Sequence, residues 1–133
     1  MDLPVLIIEE DQAVRAMLQE FLEGYPLRLR CLGKVTTMSV PQFQDAVNGF
    51  VPEAVIADIQ LLMDGGQKVV EWVRRLPKKP ICILLSAGMP IFWSILEKSF
   101  EAVYVLEKPF SLLELVELLN TVRISANKTE RLV

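Results

Sequence analysis

The sequence predicts an α/β fold, a five-stranded parallel sheet with helices on both faces. Two observations carry this expectation. Short apolar runs alternate with longer amphipathic ones five times in succession, the pattern of strand–helix units. The chain has 133 residues, 52 % of them hydrophobic and 23 % charged, which suits one domain around one core.

The elements follow in order. "PVLII", starting at Pro4, reads as a buried strand. Val14, Met17, Leu18, Phe21 and Leu22 then recur at helical spacing and form one apolar stripe, which Gly24, Tyr25 and Pro26 bring to an end. "LRLRCLG" alternates with period two, as an edge strand with one wet face does. "VPQFQDAVNGF" is a short helix with a weak pattern, and "EAVIA" is the third strand. "GGQKVVEWVRRL" is a helix closed by Pro77. "ICILL" is the fourth strand, "PIFWSILEKSF" a helix and "AVYVL" the fifth strand. Ser111 and Glu114 have the spacing of a capping box. They open a last helix, expected to run to about Ile124 with Leu112, Leu115, Val116 and Leu119 on one side. The domain is therefore placed at residues 1–124, with 125–133 a polar tail or the start of a linker.

Five such units fit a flavodoxin-like (βα)5 three-layer sandwich, with parallel sheet order 2-1-3-4-5. Its ligand crevice lies at the carboxyl ends of the strands, near the point where the order reverses. Strands 2 and 4 are then three spacings apart, about 14 Å. Cys31 and Cys82, one on each, cannot bond at that distance and are read as core residues.

Composition removes several function classes. The net charge of −3 draws the chain neither to nucleic acid nor to an anionic membrane. The absence of histidine removes His-based metal sites and any His general base. The longest uncharged run, Ile81 to Leu96, falls short of the roughly 20 residues of a membrane helix and is broken by Ser-Ala-Gly-Met-Pro. No basic stretch precedes the first apolar run, so a soluble, reduced, cytoplasmic protein is expected.

The chemistry gathers at the carboxyl edge. Strand 1 ends in Glu9-Glu10-Asp11, strand 3 in Asp58, strand 4 in Ser86, and strand 5 runs out to Lys108. Each residue has an ordinary structural reading. Asp11 can cap the first helix, Asp58 can open a turn and Ser86 can end a strand. Carboxylates converging on one rim repel, however, and the repulsion calls for a cation. Lys108 supplies one positive charge, and a hard divalent ion with oxygen ligands supplies the rest. Magnesium suits the set, since it accepts one or two carboxylates, keeps waters and leaves room for phosphate oxygens. Phosphoryl transfer is the chemistry such a rim is built for. Asp58 is the nucleophile, Lys108 and the metal neutralise the incoming oxygens, and Ser86 donates a hydrogen bond to one of them.

From Leu3 to about Ile124 the sequence resembles the receiver domains of two-component response regulators. The likeness rests on "VLIIEEDQAVR", "VIADIQL", "ILLSAG" and "VLEKPFSLLEL" in this order. The resemblance implies that Glu9 and Glu10 are the acidic metal-binding pair and Asp58 the phosphoacceptor. It further implies that Gln60 offers a backbone carbonyl to Mg2+, that Ser86 is the switch hydroxyl and that Lys108 is the conserved-type lysine. Pro109 permits the cis bond that follows this lysine in the family. A histidine kinase or phosphotransfer protein is the implied donor. A downstream protein or a second copy is the implied partner, bound through the face made by the fourth helix, fifth strand and fifth helix. The domain is a signalling module, an enzyme at most in its own phosphorylation and dephosphorylation.

Three positions depart from the family pattern. Both acids are glutamate, the loop "LLMDGG" lacks the usual proline, and Val105 stands where an aromatic switch residue is expected, with Tyr104 beside it. These departures motivate an alternative on the same fold, a receiver-like interaction module that is never phosphorylated. The consecutive Ile91, Phe92 and Trp93 cannot all face one narrow stripe, so the third packs under a loop or meets a partner. An FMN carrier of the same topology needs a Gly/Ser/Thr loop after strand 1, and Glu9-Glu10-Asp11 would repel the flavin phosphate.

Overall fold

A computed structural model of the chain describes residues 2–58, 67–86, 97–107 and 109–132, with residue 86 and residues 124–132 by backbone alone. Its strands are β1 (Leu3–Ile8), β2 (Leu27–Leu32), β3 (Ala54–Asp58), β4 (Ile81–Ser86) and β5 (Val103–Glu107). The helices named here are α1 (Gln12–Leu22), α2 (Val40–Ala46), α3 (Gln67–Arg74) and a C-terminal helix, Leu112–Leu132. A 3-10 turn, Val35–Thr37, lies between β2 and α2, and residues 97–99 are helical.

The strands form one sheet in the order β2-β1-β3-β4-β5, every pair parallel. This is the α/β, flavodoxin-like arrangement that the alternation implied. The three inner strands are covered on both faces, which is why they read as unbroken apolar runs. Alternation sorts their side chains into two cores. Leu6, Ile8, Val55, Ala57, Cys82 and Leu84 pack with Phe43, Val69 and Val73 from α2 and α3. Val5, Ile7, Ala54, Ile56, Ile83 and Leu85 pack with Leu18 and Leu22 of α1 and with Leu115 and Leu119 of the C-terminal helix. Val105 belongs to the first group and Tyr104 to the second, as strand alternation requires of neighbours.

Both cysteines are free thiols. Burial pushes their pKa values up, and for the fully enclosed Cys82 burial is the whole cause. For Cys31 the nearby Arg15 charge works partly against the rise.

Local chemistry explains where the helices start. Asp11 caps α1 by accepting from the N–H groups of Ala13 and Val14 at 2.9 and 3.2 Å. A reciprocal capping box opens α2, with Ser39 and Gln42 each accepting from the other's N–H. That box was not anticipated. At Ser111 the hydroxyl accepts from the Leu113 N–H at 3.1 Å, one residue earlier than the expected box geometry. The C-terminal helix also continues to Leu132, beyond the end placed near Ile124. The apolar stripe fades there, but no Gly or Pro interrupts the chain from Leu112 to Leu132, so nothing breaks the backbone ladder. The edge strand β2 has a drier outer face than its alternation implied. Arg28 and Arg30 lie over the Phe50 ring at 5.5 and 4.9 Å, and Arg30 also donates to the Ala46 carbonyl.

Candidate functional site

The register fixes which strand ends meet. Ile8 pairs with Ala57 across β1 and β3, so Glu9 and Asp58 follow at the same level on adjacent strands. Neighbouring strands lie about 4.8 Å apart, which puts the two residues side by side at the carboxyl edge. Asp58 in turn pairs with Leu85 of β4, and Ser86 pairs with Glu107 of β5. The backbone thus gathers the ends of β1, β3, β4 and β5 in the order the sequence pattern required. Gln60, Lys108, the loop 61–66 and Ile91, Phe92 and Trp93 lie outside the described residues, as does the side chain of Ser86. The Lys108–Pro109 bond lies outside them too.

The acidic residues after β1 have three different environments. Glu9 is buried, 5 % exposed, a cost that a carboxylate bears only with partners. Three of its polar groups are tied down. Its N–H donates to the Leu32 carbonyl at 3.0 Å, its carbonyl accepts from Arg15 Nη1 at 2.7 Å, and its Oε1 accepts from the Asp11 N–H at 3.1 Å. Glu10 is exposed, and its Oε1 accepts from both the N–H and the hydroxyl of Thr36, at 3.2 and 3.0 Å. Asp11 caps α1 with its side chain while its N–H serves Glu9. Asp58 closes β3 and is half-buried at its carboxyl end.

The donor chemistry fits a hard cation, since every candidate ligand is an oxygen. Among the described residues no three Asp, Glu, His or Cys side chains come together as a metal-holding group, although Glu9, Glu10 and Asp58 are all described. A magnesium ion that takes two carboxylates and keeps its waters fits Glu9 with Asp58. Glu10, as placed, points its bonded oxygen at Thr36.

Some residues that shape this rim carry no signal in the sequence pattern. Arg15 lies over Gly33, where any Cβ would sit 2.1 Å from its Nη1. Lys68, in the first turn of α3, donates to the carbonyls of Val35 and Met38 at 2.7 and 2.5 Å. Both act on the segment between β2 and α2, next to the rim rather than in it. Among the described residues no helix is long and apolar enough to cross a membrane.

Residues 5–120 match the family model of the response regulator receiver domain. No curated protein matches the chain. Among solved structures, the chain is similar to a CheY-like response regulator receiver domain from Methylobacillus flagellatus, with 21 % identity, TM-score 0.67 and coverage of 92 % of this chain and 99 % of that one. It is similar to the signal receiver domain of an HD domain-containing protein from Pseudomonas fluorescens, with 18 % identity, TM-score 0.74 and coverage of 96 % and 99 %. It also resembles NtrX from Brucella abortus, solved with ADP, at 18 % identity and TM-score 0.72, where 99 % of this chain covers 28 % of that one.

Proposed function

The chain belongs to the response regulator receiver domain family, and on that premise we propose that it takes a phosphoryl group from a histidine kinase or phosphotransfer protein onto Asp58. The observation that carries this reading is the pairing of Ile8 with Ala57, which sets a buried Glu9 beside a half-buried Asp58 at the carboxyl edge. In the transfer, an Asp58 carboxylate oxygen attacks phosphorus. The P–N bond of the phosphohistidine breaks, its electron pair stays on the imidazole nitrogen, and that nitrogen takes a proton from solvent. Glu9 and Asp58, with the carbonyl of Gln60, would hold Mg2+. When bound, the ion supplies positive charge to the phosphoryl oxygens. Lys108 adds a second positive charge, and the Ser86 hydroxyl donates to a phosphoryl oxygen. The phosphorylated state changes partner binding, through the face that carries β5, the C-terminal helix and the exposed Leu113.

A mass measurement tests this. Incubation with a small acyl phosphate and Mg2+ should add one acid-labile phosphoryl group, and Asp58→Ala should gain none. An unphosphorylated wild type, or equal labelling of both proteins, overturns the reading.

A second reading, an interaction module that is never phosphorylated, is favoured by the bond between Glu10 and Thr36 and by Tyr104 lying on the α1 side of the sheet. NMR titration with beryllofluoride and Mg2+ separates the two. Saturable shifts around Asp58 support the phosphoacceptor, and a silent titration supports the module.

A further inference from the structure

We propose that the two acids after β1 have separate duties: Glu9 serves the Asp58 rim, and Glu10 anchors the β2–α2 turn and is not a metal ligand. The inference rests on reading Asp58 as the phosphoacceptor and assigns the residues of that same site.

The turn Val35–Thr37 needs an anchor from elsewhere. The first N–H groups of any helical turn lack partners within it, and a side chain just before the turn normally supplies one. Here the residue in that place is Lys34, which carries no acceptor, makes no capping bond and holds a left-handed φ of 55°. Glu10 supplies the missing acceptor from 26 residues away, binding the Thr36 N–H and the Thr36 hydroxyl with one carboxylate oxygen. A negative group at this end also suits the direction of the peptide dipoles.

Side-chain length fits this duty. The second methylene of glutamate extends the carboxylate by about 1.5 Å over aspartate, outward from β1 toward the turn. The departure from the family pattern at this position therefore has a use that aspartate would serve poorly. The far end of the turn is held as well, by Lys68 Nζ on the carbonyls of Val35 and Met38. A move of Glu10 toward a cation at Asp58 would uncap the turn while Lys68 still gripped it. A water in the metal's own shell can fill the place that Glu10 leaves, because magnesium keeps several.

Amide hydrogen exchange of Thr36 and Mg2+ titration, both by NMR, test the proposal on wild type, Glu10→Ala, Glu10→Gln and Glu9→Gln. Loss of the anchor in Glu10→Ala should speed Thr36 exchange about tenfold, the scale of a lost cap. Glu10→Gln keeps an acceptor oxygen and should restore the slow exchange. Mg2+ affinity should stay within about threefold of wild type in both Glu10 variants, a change expected from removing a screened, exposed charge. In Glu9→Gln it should fall by about tenfold or more, the loss of a ligand.

Three results overturn the proposal. Glu10→Ala could weaken Mg2+ binding as much as Glu9→Gln does. Saturating Mg2+ could release the Thr36 amide in wild type. Thr36 exchange could be the same in Glu10→Ala as in wild type. A wild type that binds no Mg2+ at all defeats the phosphoacceptor reading instead, and the anchor then stands or falls on the Thr36 exchange rates alone.

Discussion

Gly33→Ala is the sharpest probe of how the rim is held. A Cβ at this position would lie 2.1 Å from Arg15 Nη1 and 2.7 Å from Arg15 Cζ, so the guanidinium must move away. With it goes the 2.7 Å bond to the Glu9 carbonyl. The Gly33 backbone is not in the left-handed region, so alanine itself is unstrained there. A hydrogen bond from a charged donor contributes about 1.5–3 kcal/mol, and one partly open to solvent belongs at the low end, about 1.5 kcal/mol. Alanine returns about 0.4–1 kcal/mol by restricting the unfolded chain. The net effect is a loss of about 1 kcal/mol, or about 4 °C in Tm for a domain of this size.

In an Arg15→Ala background there is nothing to collide with and no bond to lose. The same Gly33→Ala change should then stabilise by about 0.4–1 kcal/mol. The sign reverses, and the coupling energy is about 1.5 kcal/mol. Urea denaturation of the four proteins measures it, from midpoints compared at constant m. If Gly33→Ala changes stability by the same amount and sign in both backgrounds, the Arg15–Glu9 bond has no energetic weight, and the account of how Glu9 is fixed is wrong.

Two further outcomes follow from the core. Phe43 is 1 % exposed and meets the Trp72 ring edge-on at 5.6 Å, so Phe43→Ala should cost about 3–5 kcal/mol in urea and shift the Trp72 emission to the red. Cys82 supplies a pH dependence. Its folded-state pKa is raised by burial, so the stability it contributes is whole below the ordinary thiol value of 9.0 and is lost as pH rises above that toward the folded value. Over that window wild type should lose about 1.4 kcal/mol per pH unit more than Cys82→Ala. Parallel stability curves for the two proteins from pH 9 upward would show that the thiol ionises in the folded state.

The fold was legible because its core strands are buried on both faces. Such strands announce themselves as apolar runs such as "VLII" and "ICILL", and the segments between them carry helical periodicity. The opposite facing of Tyr104 and Val105 was legible for a related reason, since strand alternation leaves no choice. The end of the C-terminal helix was not, because a stripe that fades marks the edge of the core and not the end of the hydrogen-bonded ladder.

At the site, the acids after β1 and the place of Asp58 could be read from the run of residues. Their division could not. Nothing periodic joins Glu10 to Thr36 or Arg15 to Gly33, and polar contacts between residues this far apart leave no trace in hydropathy. Asp11 was readable as a cap because capping is a local rule.

The arrangement around Glu9 ties the segment after β2 to the rim at the end of β3. A preorganised charge acts best when it need not reorganise as the reaction proceeds. Glu9 meets that condition, held through its N–H by Leu32 of β2, through its carbonyl by Arg15 and through its carboxylate by the Asp11 N–H. Arg15 reaches the Glu9 carbonyl only because Gly33, the residue after Leu32, leaves space for it. Two residues further on, Val35 begins the turn that Glu10 and Lys68 hold from either side. The chain from Leu32 to Met38 is thus a brace for the β1 end of the rim, set apart from Asp58 at the end of β3. Substitutions in the brace should alter how well the rim is shaped without touching Asp58. On the proposed phosphoacceptor reading that separation is useful, since rate can be tuned there while Asp58 itself is left unchanged.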